Sequence, residues 1–217
     1  MSAKDVMITI DEKQFTVPKG VSLLRVALDN GIYIPHLCAN EDVDRPAASC
    51  RLCFVEIDGF LNPVTACTQS VRDGMRVRTR SRRIDRLVQT GFELLLSNHR
   101  LGCAKCARNG SCELQRIAKA RGLKLKLTRL RPQVNEVPID DSPENFVYDA
   151  SRCVLCGQCI WVDQNRVKVG AIGFIRRGIS RKMSTFADTS LATSSCTQCA
   201  ECVKVCPVGA LIPKAQG

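Results

Sequence analysis

The chain has 217 residues, of which 14 are cysteines, and its 32 Lys and Arg outnumber its 21 Asp and Glu. Apolar residues make up 45% and charged residues 24%, which excludes an intrinsically disordered chain. No apolar run approaches the ~18 residues of a transmembrane helix, and the N-terminal residues lack the apolar core of a secretory signal. We therefore expect a cytoplasmic protein with no membrane span, in which so many cysteines indicate bound metal rather than disulfides.

The positive charge is concentrated in the middle of the chain. Residues 72–131 carry 17 Lys and Arg against four Asp and Glu, an excess larger than the net charge of +11 of the whole chain. Such a segment is a solvated basic face, a surface for an acidic protein partner, or a surface for nucleic acid. Charge alone leaves these alternatives open.

Residues 1–80 are predicted to form a β-grasp unit. Val6–Ile10 and Gln14–Val17 are predicted strands of a hairpin. Ser22 is predicted to cap a helix over 23–28 that ends at Gly31. Further strands are predicted at 53–57, 64–66 and 75–79. The order strand, strand, helix and further strands is that of a β-grasp fold.

The rest of the chain is predicted to contain a helical unit at 81–122, a connector with short strands at 123–150, and a unit with two repeated cysteine motifs at 151–217. A first helix is indicated by apolar residues at helical spacing, namely Ile84, Leu87, Val88, Phe92 and Leu95. A second contains Leu114, Ile117 and Ala118 and ends at Gly122. The expected fold class is α+β.

The first cysteine group has the spacing C-x11-C-x2-C-x13-C and consists of Cys38, Cys50, Cys53 and Cys67. A [2Fe-2S] cluster needs four thiolates that converge from a loop and a nearby strand end, and its plant-type motif has a shorter first gap. The close pair would also suit zinc. The β-grasp pattern around this group favours the [2Fe-2S] interpretation.

The second group has the spacing H-x3-C-x2-C-x5-C and consists of His99, Cys103, Cys106 and Cys112. It is the most zinc-like of the four groups, and a [4Fe-4S] cluster with one histidine ligand is the alternative. We predict that His99 is a ligand, because it stands at a suitable offset from three cysteines that need a fourth partner. The other histidine, His36, is predicted to pack in its loop or to donate a hydrogen bond to a sulfur.

The last two groups repeat one another. Cys153, Cys156 and Cys159 form C-x2-C-x2-C, and the final group matches the bacterial ferredoxin run C-x2-C-x2-C-x3-C-P, which zinc sites rarely use. In that run the fourth cysteine binds the other cluster. One [4Fe-4S] cluster is therefore assigned to Cys153, Cys156, Cys159 and Cys206.

The other [4Fe-4S] cluster is assigned to Cys196, Cys199 and Cys202, which need a fourth ligand. By the same crossing rule this ligand stands at position 163, where the residue is Asp163. A carboxylate binds iron as a harder and more exchangeable donor than a thiolate. Asp163 is therefore a ligand, or the cluster loses one iron to become [3Fe-4S], or Asp163 is a solvent-exposed carboxylate.

These motifs, in this order, resemble the N-terminal iron–sulfur part of the large complex I subunit (NuoG type). They resemble even more the diaphorase iron–sulfur subunit of bidirectional NAD-reducing [NiFe]-hydrogenases (HoxU type). Stretches that carry the resemblance, which covers nearly the whole chain, are Ile34–Cys38, Cys50–Cys53, Gly110–Gln115, Cys153–Cys156 and Cys206–Leu211. The resemblance implies one [2Fe-2S] cluster and three [4Fe-4S] clusters on the ligands named above. Asp163 stands where four-cluster relatives have a cysteine.

The resemblance implies a subunit that relays electrons. The chain has no Gly-rich dinucleotide fingerprint and no cysteine left over for a nickel or molybdenum centre, so we expect no catalysis by the chain alone. Its implied partners are a flavin/NAD-binding diaphorase subunit and the small and large subunits of a [NiFe]-hydrogenase. The same role in an NAD-linked formate dehydrogenase or a complex I-like oxidoreductase is the alternative.

A zinc-rich nucleic-acid-binding protein is the rival class. It would place base-stacking aromatic residues or a readout helix among the basic residues. The basic stretch 116–131 contains no aromatic residue, and the Cys-Pro run is typical of ferredoxins. We therefore expect no nucleic-acid partner.

Overall fold

The computed structural model describes residues 5–43, 46–134 and 137–214. By its internal contacts the chain divides into two compact units, residues 1–92 and residues 93–217. The finer division predicted at residues 80, 122 and 150 stays a prediction. Within the described ranges no helix is both long and apolar enough to cross a membrane.

The first unit has the predicted β-grasp order. Strands β1 (Asp5–Ile10) and β2 (Lys13–Pro18) precede helix α1 (Leu23–Asp29), and β3 (Phe54–Ile57), β4 (Val64–Thr65) and β5 (Arg76–Arg78) follow it. The strands lie in the order β2-β1-β5-β3-β4, with β1 antiparallel to β2 and parallel to β5. Alternate residues of β1 point into the core, where they pack with the buried face of α1: Val6, Ile8, Ile10, Leu23, Leu24, Val26 and Ala27.

The ends of α1 are set by backbone groups more than by its predicted cap. The Ser22 side chain makes no capping hydrogen bond, so that prediction is wrong. The chain that enters the helix is instead held by backbone pairing, since the Leu23 N–H donates to the Gln69 carbonyl at 2.8 Å and Ser22 bridges to Ser70. Gly31, at a φ of +74°, ends the helix as predicted.

Helix α2 (Arg82–Ser97) begins at a cap that the sequence analysis missed. The Ser81 hydroxyl accepts from the Ile84 N–H at 3.2 Å and donates to Glu56 at 2.9 Å. The buried stripe of the helix runs along every fourth residue: Ile84, Val88, Phe92 and Leu96. The predicted helix is confirmed, although Leu87 is 37% exposed and Leu95 is only partly buried, so these two residues lie beside the buried stripe.

The second unit consists of short elements. Helix α3 (Glu113–Arg121) ends as predicted at left-handed Gly122. Strand β6 (Phe146–Tyr148) pairs antiparallel with β9 (Leu211–Pro213), and β7 (Ile172–Ile175) forms a hairpin with β8 (Lys182–Thr185). Helices α4 (Gln158–Val162) and α5 (Glu201–Lys204) each begin inside a cysteine motif, and α4 continues into a π-helical turn over 163–167.

Gly91 gives a test of the first unit, because α2 passes close to the cysteine loop there. A Cβ at Gly91 would lie 2.7 Å from the Arg51 carbonyl oxygen, between Cys50 and Cys53. Gly91→Ala is expected to force helix and loop apart and to lower the free energy of unfolding by ~1–3 kcal/mol, measured by thermal denaturation. Gly173→Ala, which meets nothing within 4 Å, is the control. Equal stability of both variants would contradict this packing.

Candidate cluster-binding sites

The four cysteines of the first group are all buried in the β-grasp unit. Cys53 directly precedes β3, Cys67 lies in a 3-10 turn after β4, and the Ala66 N–H ties these segments by donating to the Cys53 carbonyl at 2.8 Å. The sulfurs of Cys38 and Cys50 are 3.4 Å apart. The fold therefore brings the loop cysteines and the strand-end cysteines into one buried group.

The close sulfurs of this group shift each other's pKa. The contact with Cys50 lowers the pKa of Cys38 to about 5, and the same contact together with burial raises the pKa of Cys50. The contact with Cys53 likewise lowers the pKa of Cys67. His36 stays within its loop, where its Nδ1 donates to the Ile34 carbonyl at 2.8 Å.

The second group lies around one cavity of the second unit. Its lining includes all four predicted ligands, His99, Cys103, Cys106 and Cys112. The His99 Nδ1 is 2.9 Å from the Arg152 carbonyl oxygen, which can only accept, so Nδ1 carries the proton and Nε2 is left bare for a metal. Burial lowers the pKa of His99, which favours the neutral imidazole that a metal needs.

The segment after Cys206 forms one wall of the His99 cavity. Arg108 Nη2 donates to the Cys206 carbonyl at 2.7 Å, and the Glu113 N–H donates to the Pro207 carbonyl at 2.9 Å. Gly209 lines the cavity, and a Cβ there would lie 2.6 Å from the Cys106 sulfur. Arg108 and Gly209 were not predicted as site residues, because nothing in the local sequence marks these contacts.

A second cavity collects the cysteines that the crossing rule assigns to one cluster. Cys153, Cys156, Cys159 and Cys206 all line it, although Cys206 lies almost fifty residues further along the chain. Strands β6 and β9 bring the two cysteine motifs together, since the Asp149 N–H donates to the Ala210 carbonyl at 2.8 Å. Burial raises the pKa of Cys153 to about 12.

A third cavity is lined by Cys196, Cys199, Cys202 and Asp163. Asp163 is 9% exposed, which excludes the alternative of a solvent-exposed carboxylate. Its Oδ2 accepts from the Ile172 N–H at 3.0 Å. Burial raises the pKa of Cys202 to about 12, and it also raises the pKa of Cys196, with a smaller contribution from the negative charge of Asp163. Cys199 is the one exposed cysteine among the 14.

The two C-x2-C-x2-C loops share one backbone conformation. The second residue after the first cysteine is left-handed in both, Leu155 at a φ of 54° and Gln198 at 55°, and each N–H donates to that cysteine's sulfur at 3.4 Å. The residue before each short helix is left-handed too, Gly157 at 80° and Ala200 at 60°. Such turns point backbone N–H groups at sulfur, as a cluster requires.

The donor sets suit iron–sulfur clusters. Several thiols lie close together, and burial raises their pKa values. Their thiolate forms therefore need a cationic core nearby. In the described ranges no group of three or more His, Cys, Asp or Glu is arranged to hold a single metal ion. Three cavities are each lined by four candidate ligands, which is the number of donors that a four-iron cluster needs.

Three family models match successive parts of the chain. Residues 3–82 match a 2Fe-2S iron–sulfur cluster binding domain. Residues 89–124 match an NADH-ubiquinone oxidoreductase-G iron–sulfur binding region. Residues 145–212 match the ferredoxin-like domain of NADH-quinone oxidoreductase subunit 3. Fold, sites and matches together define an iron–sulfur protein with [2Fe-2S] and [4Fe-4S] domains.

The chain belongs to the family of iron–sulfur subunits that NAD(P)-linked hydrogenases share with NuoG-type subunits. It matches a chain of an NAD⁺-reducing [NiFe]-hydrogenase crystal structure with a TM-score of 0.87 and 30% identity, over 98% of this chain and 88% of that one.

Curated relatives are longer. The NADP-reducing hydrogenase subunit HndD of Solidesulfovibrio fructosivorans is 34% identical over 94% of this chain and 35% of its own length. The alpha subunit of a Geobacter sulfurreducens NADPH-Fe(3+) oxidoreductase is 37% identical over 96% of this chain and 24% of its own length. The chain thus spans about a quarter to a third of these relatives.

Gly209 provides a test of the His99 site. Gly209→Ala is expected to push the Cys106 sulfur out of position and to lower iron retention at this site, because no Cβ fits 2.6 Å from sulfur. Gly102→Ala is the matched control, since Gly102 lines the same cavity with nothing within 4 Å of its Cβ position. Iron analysis and EPR of both variants check this, and identical iron content would show that the sulfur is free to move aside.

Proposed function

We propose that this chain relays single electrons between a flavin/NAD-binding diaphorase subunit and the small and large subunits of a [NiFe]-hydrogenase. The observation that carries the proposal is the series of four cysteine-rich ligand groups, one in the β-grasp unit and three around cavities of the second unit. The similarity to a chain of an NAD⁺-reducing [NiFe]-hydrogenase over nearly its whole length favours this partner.

The second candidate is the same relay role in a formate dehydrogenase or a complex I-like oxidoreductase. A putative formate dehydrogenase of Staphylococcus haemolyticus is 28% identical over 95% of this chain. A G-type subunit of an NADH-quinone oxidoreductase of Rhizobium meliloti is 36% identical over 95%. The ligand groups are compatible with each of these roles, so the co-purifying subunits distinguish them.

We also propose that the protein is located in the cytoplasm.

The proposed inventory is one [2Fe-2S] cluster and three [4Fe-4S] clusters, with no catalytic residue. Cys38, Cys50, Cys53 and Cys67 would hold the two-iron cluster, and His99 with three cysteines would hold the first four-iron cluster. When bound, these clusters supply one-electron redox chemistry. The chain's own residues hold them, exclude water and set the local charge.

Anaerobic purification tests this proposal. The protein is expected to be brown, to contain iron and acid-labile sulfide for one two-iron and three four-iron clusters, and to co-purify with diaphorase and hydrogenase subunits. Iron that stops at two clusters would contradict the inventory. If all four clusters are present and the co-purifying subunits contain molybdenum, the second candidate function is favoured over the hydrogenase.

Asp163 is proposed as the fourth ligand of the Cys196, Cys199 and Cys202 cluster. Its carboxylate is buried in the cavity that these cysteines line, and the Ile172 N–H engages only Oδ2. Oδ1 is therefore the candidate donor to iron. A carboxylate has the charge of a thiolate but is a harder and more exchangeable ligand, so this cluster is expected to lose one iron more readily than its neighbour.

Substitution of Asp163 tests this ligation. Asp163→Cys is expected to increase iron retention at the Cys196 site and to change its EPR spectrum, because thiolate replaces carboxylate on iron. Asp163→Asn is expected to leave mainly the [3Fe-4S] form. The control Asp141→Cys adds a cysteine at an exposed position. Spectra of Asp163→Cys that match those of the unmodified chain would refute ligation.

A further inference from the structure

A polar cavity of about 110 Å³ in the second unit adjoins the Cys153 site. Three cationic residues at the tip of the β7–β8 hairpin line it, namely Arg176, Arg181 and Lys182. Cys153 and Leu155 line the same cavity, and the Leu155 N–H donates to the Cys153 sulfur at 3.4 Å. The hairpin therefore places positive charge beside a sulfur of the proposed cluster.

Arg181 is held there by an aromatic contact. Its guanidinium carbon lies 4.0 Å from the centroid of the Phe174 ring. The Phe174 side chain also lines the cavity of Cys153, Cys156, Cys159 and Cys206. The Phe174 ring therefore contacts the Arg181 guanidinium and also borders the four-cysteine cavity. Arg181 is exposed, so water screens part of its charge, but a charge is screened less along the path through an apolar ring than through water.

The charges around this cavity do not cancel among themselves. Asp188 pairs with two of the cations, at 2.6 Å from Lys182 and 3.1 Å from Arg176. Three cations and one carboxylate leave two positive charges. A [4Fe-4S] cluster with four thiolates carries a charge of about −2 when oxidised and about −3 when reduced. The negative charge of the cluster would therefore balance the positive charge of the hairpin.

We propose that Arg181 sets the reduction potential of the cluster held by Cys153, Cys156, Cys159 and Cys206. On reduction the cluster gains one electron with no bond broken, and a fixed positive charge stabilises that more negative state. Arg181 therefore raises the potential and makes this cluster easier to reduce. The inference rests on the proposed assignment of the four cysteines to one cluster.

Redox titration followed by EPR, on the anaerobically purified full chain, tests the inference. Arg181→Met keeps an apolar stem over Phe174 and removes the charge. At a fixed solution potential, the ratio of reduced to oxidised cluster is expected to fall about threefold to tenfold, which is ~30–60 mV for a one-electron couple. Arg181→Lys is expected to restore most of the shift. The control is Arg177→Met, since Arg177 is an exposed hairpin residue outside the cavity lining, and it should leave the potential unchanged.

The outcomes separate this inference from the proposed function. Absence of the cluster from the unmodified chain would refute the ligand assignment and the inference with it. A cluster present in every variant, with the same potential in Arg181→Met and Arg177→Met, would refute the inference alone. If Arg181→Met loses the cluster, Lys182→Met provides the second test, because Lys182 lines the same cavity. The reduction potential of the cluster must then fall in Lys182→Met.

Discussion

The burial of thiolates is the constraint on which the rest of the structure depends. All four cysteines of the β-grasp unit are buried, and burial raises the pKa of Cys153 and Cys202 to about 12. Cys153 and Cys202 in such surroundings are thiolates only beside a cationic core, so cluster binding would contribute free energy to folding. The second unit shows this dependence most, because its helices α4 and α5 have only five and four residues.

The same constraint explains the backbone of the two C-x2-C-x2-C loops. Left-handed residues turn N–H groups toward sulfur, and Leu155 and Gln198 adopt this conformation although neither is glycine. A non-glycine residue in this region costs about 1 kcal/mol. At the start of the short helices the two repeats differ, since one has Gly157 and the other Ala200. The chain tolerates strain in both loops, which N–H···S contacts to a cluster would offset.

The sequence was sufficient for features that depend on local pattern. The alternation of apolar residues predicted β1 and β2, left-handed Gly122 ended α3 as predicted, and the crossing rule grouped Cys206 with Cys153, which line one cavity. Contacts between distant segments could not be predicted from the sequence. The bond from the Leu23 N–H to the Gln69 carbonyl and the approach of Gly209 to Cys106 both depend on tertiary structure alone. The burial of Asp163 likewise follows from its Ile172 contact and from the cysteine loop opposite it.

The two proposed ferredoxin-type sites of the second unit differ in how their negative charge is balanced. Cys159 and Cys206 are buried, and the cations beside Cys153 are fixed by Phe174 and Asp188. The neighbouring site has the exposed Cys199, so solvent reaches one of its cysteines. Solvent and fixed cations both favour the reduced state, but only solvent gives a docking redox partner direct access. On the proposed assignments the cluster beside Arg181 would be an internal relay, and the cluster of Cys199 would exchange electrons at the surface of this unit.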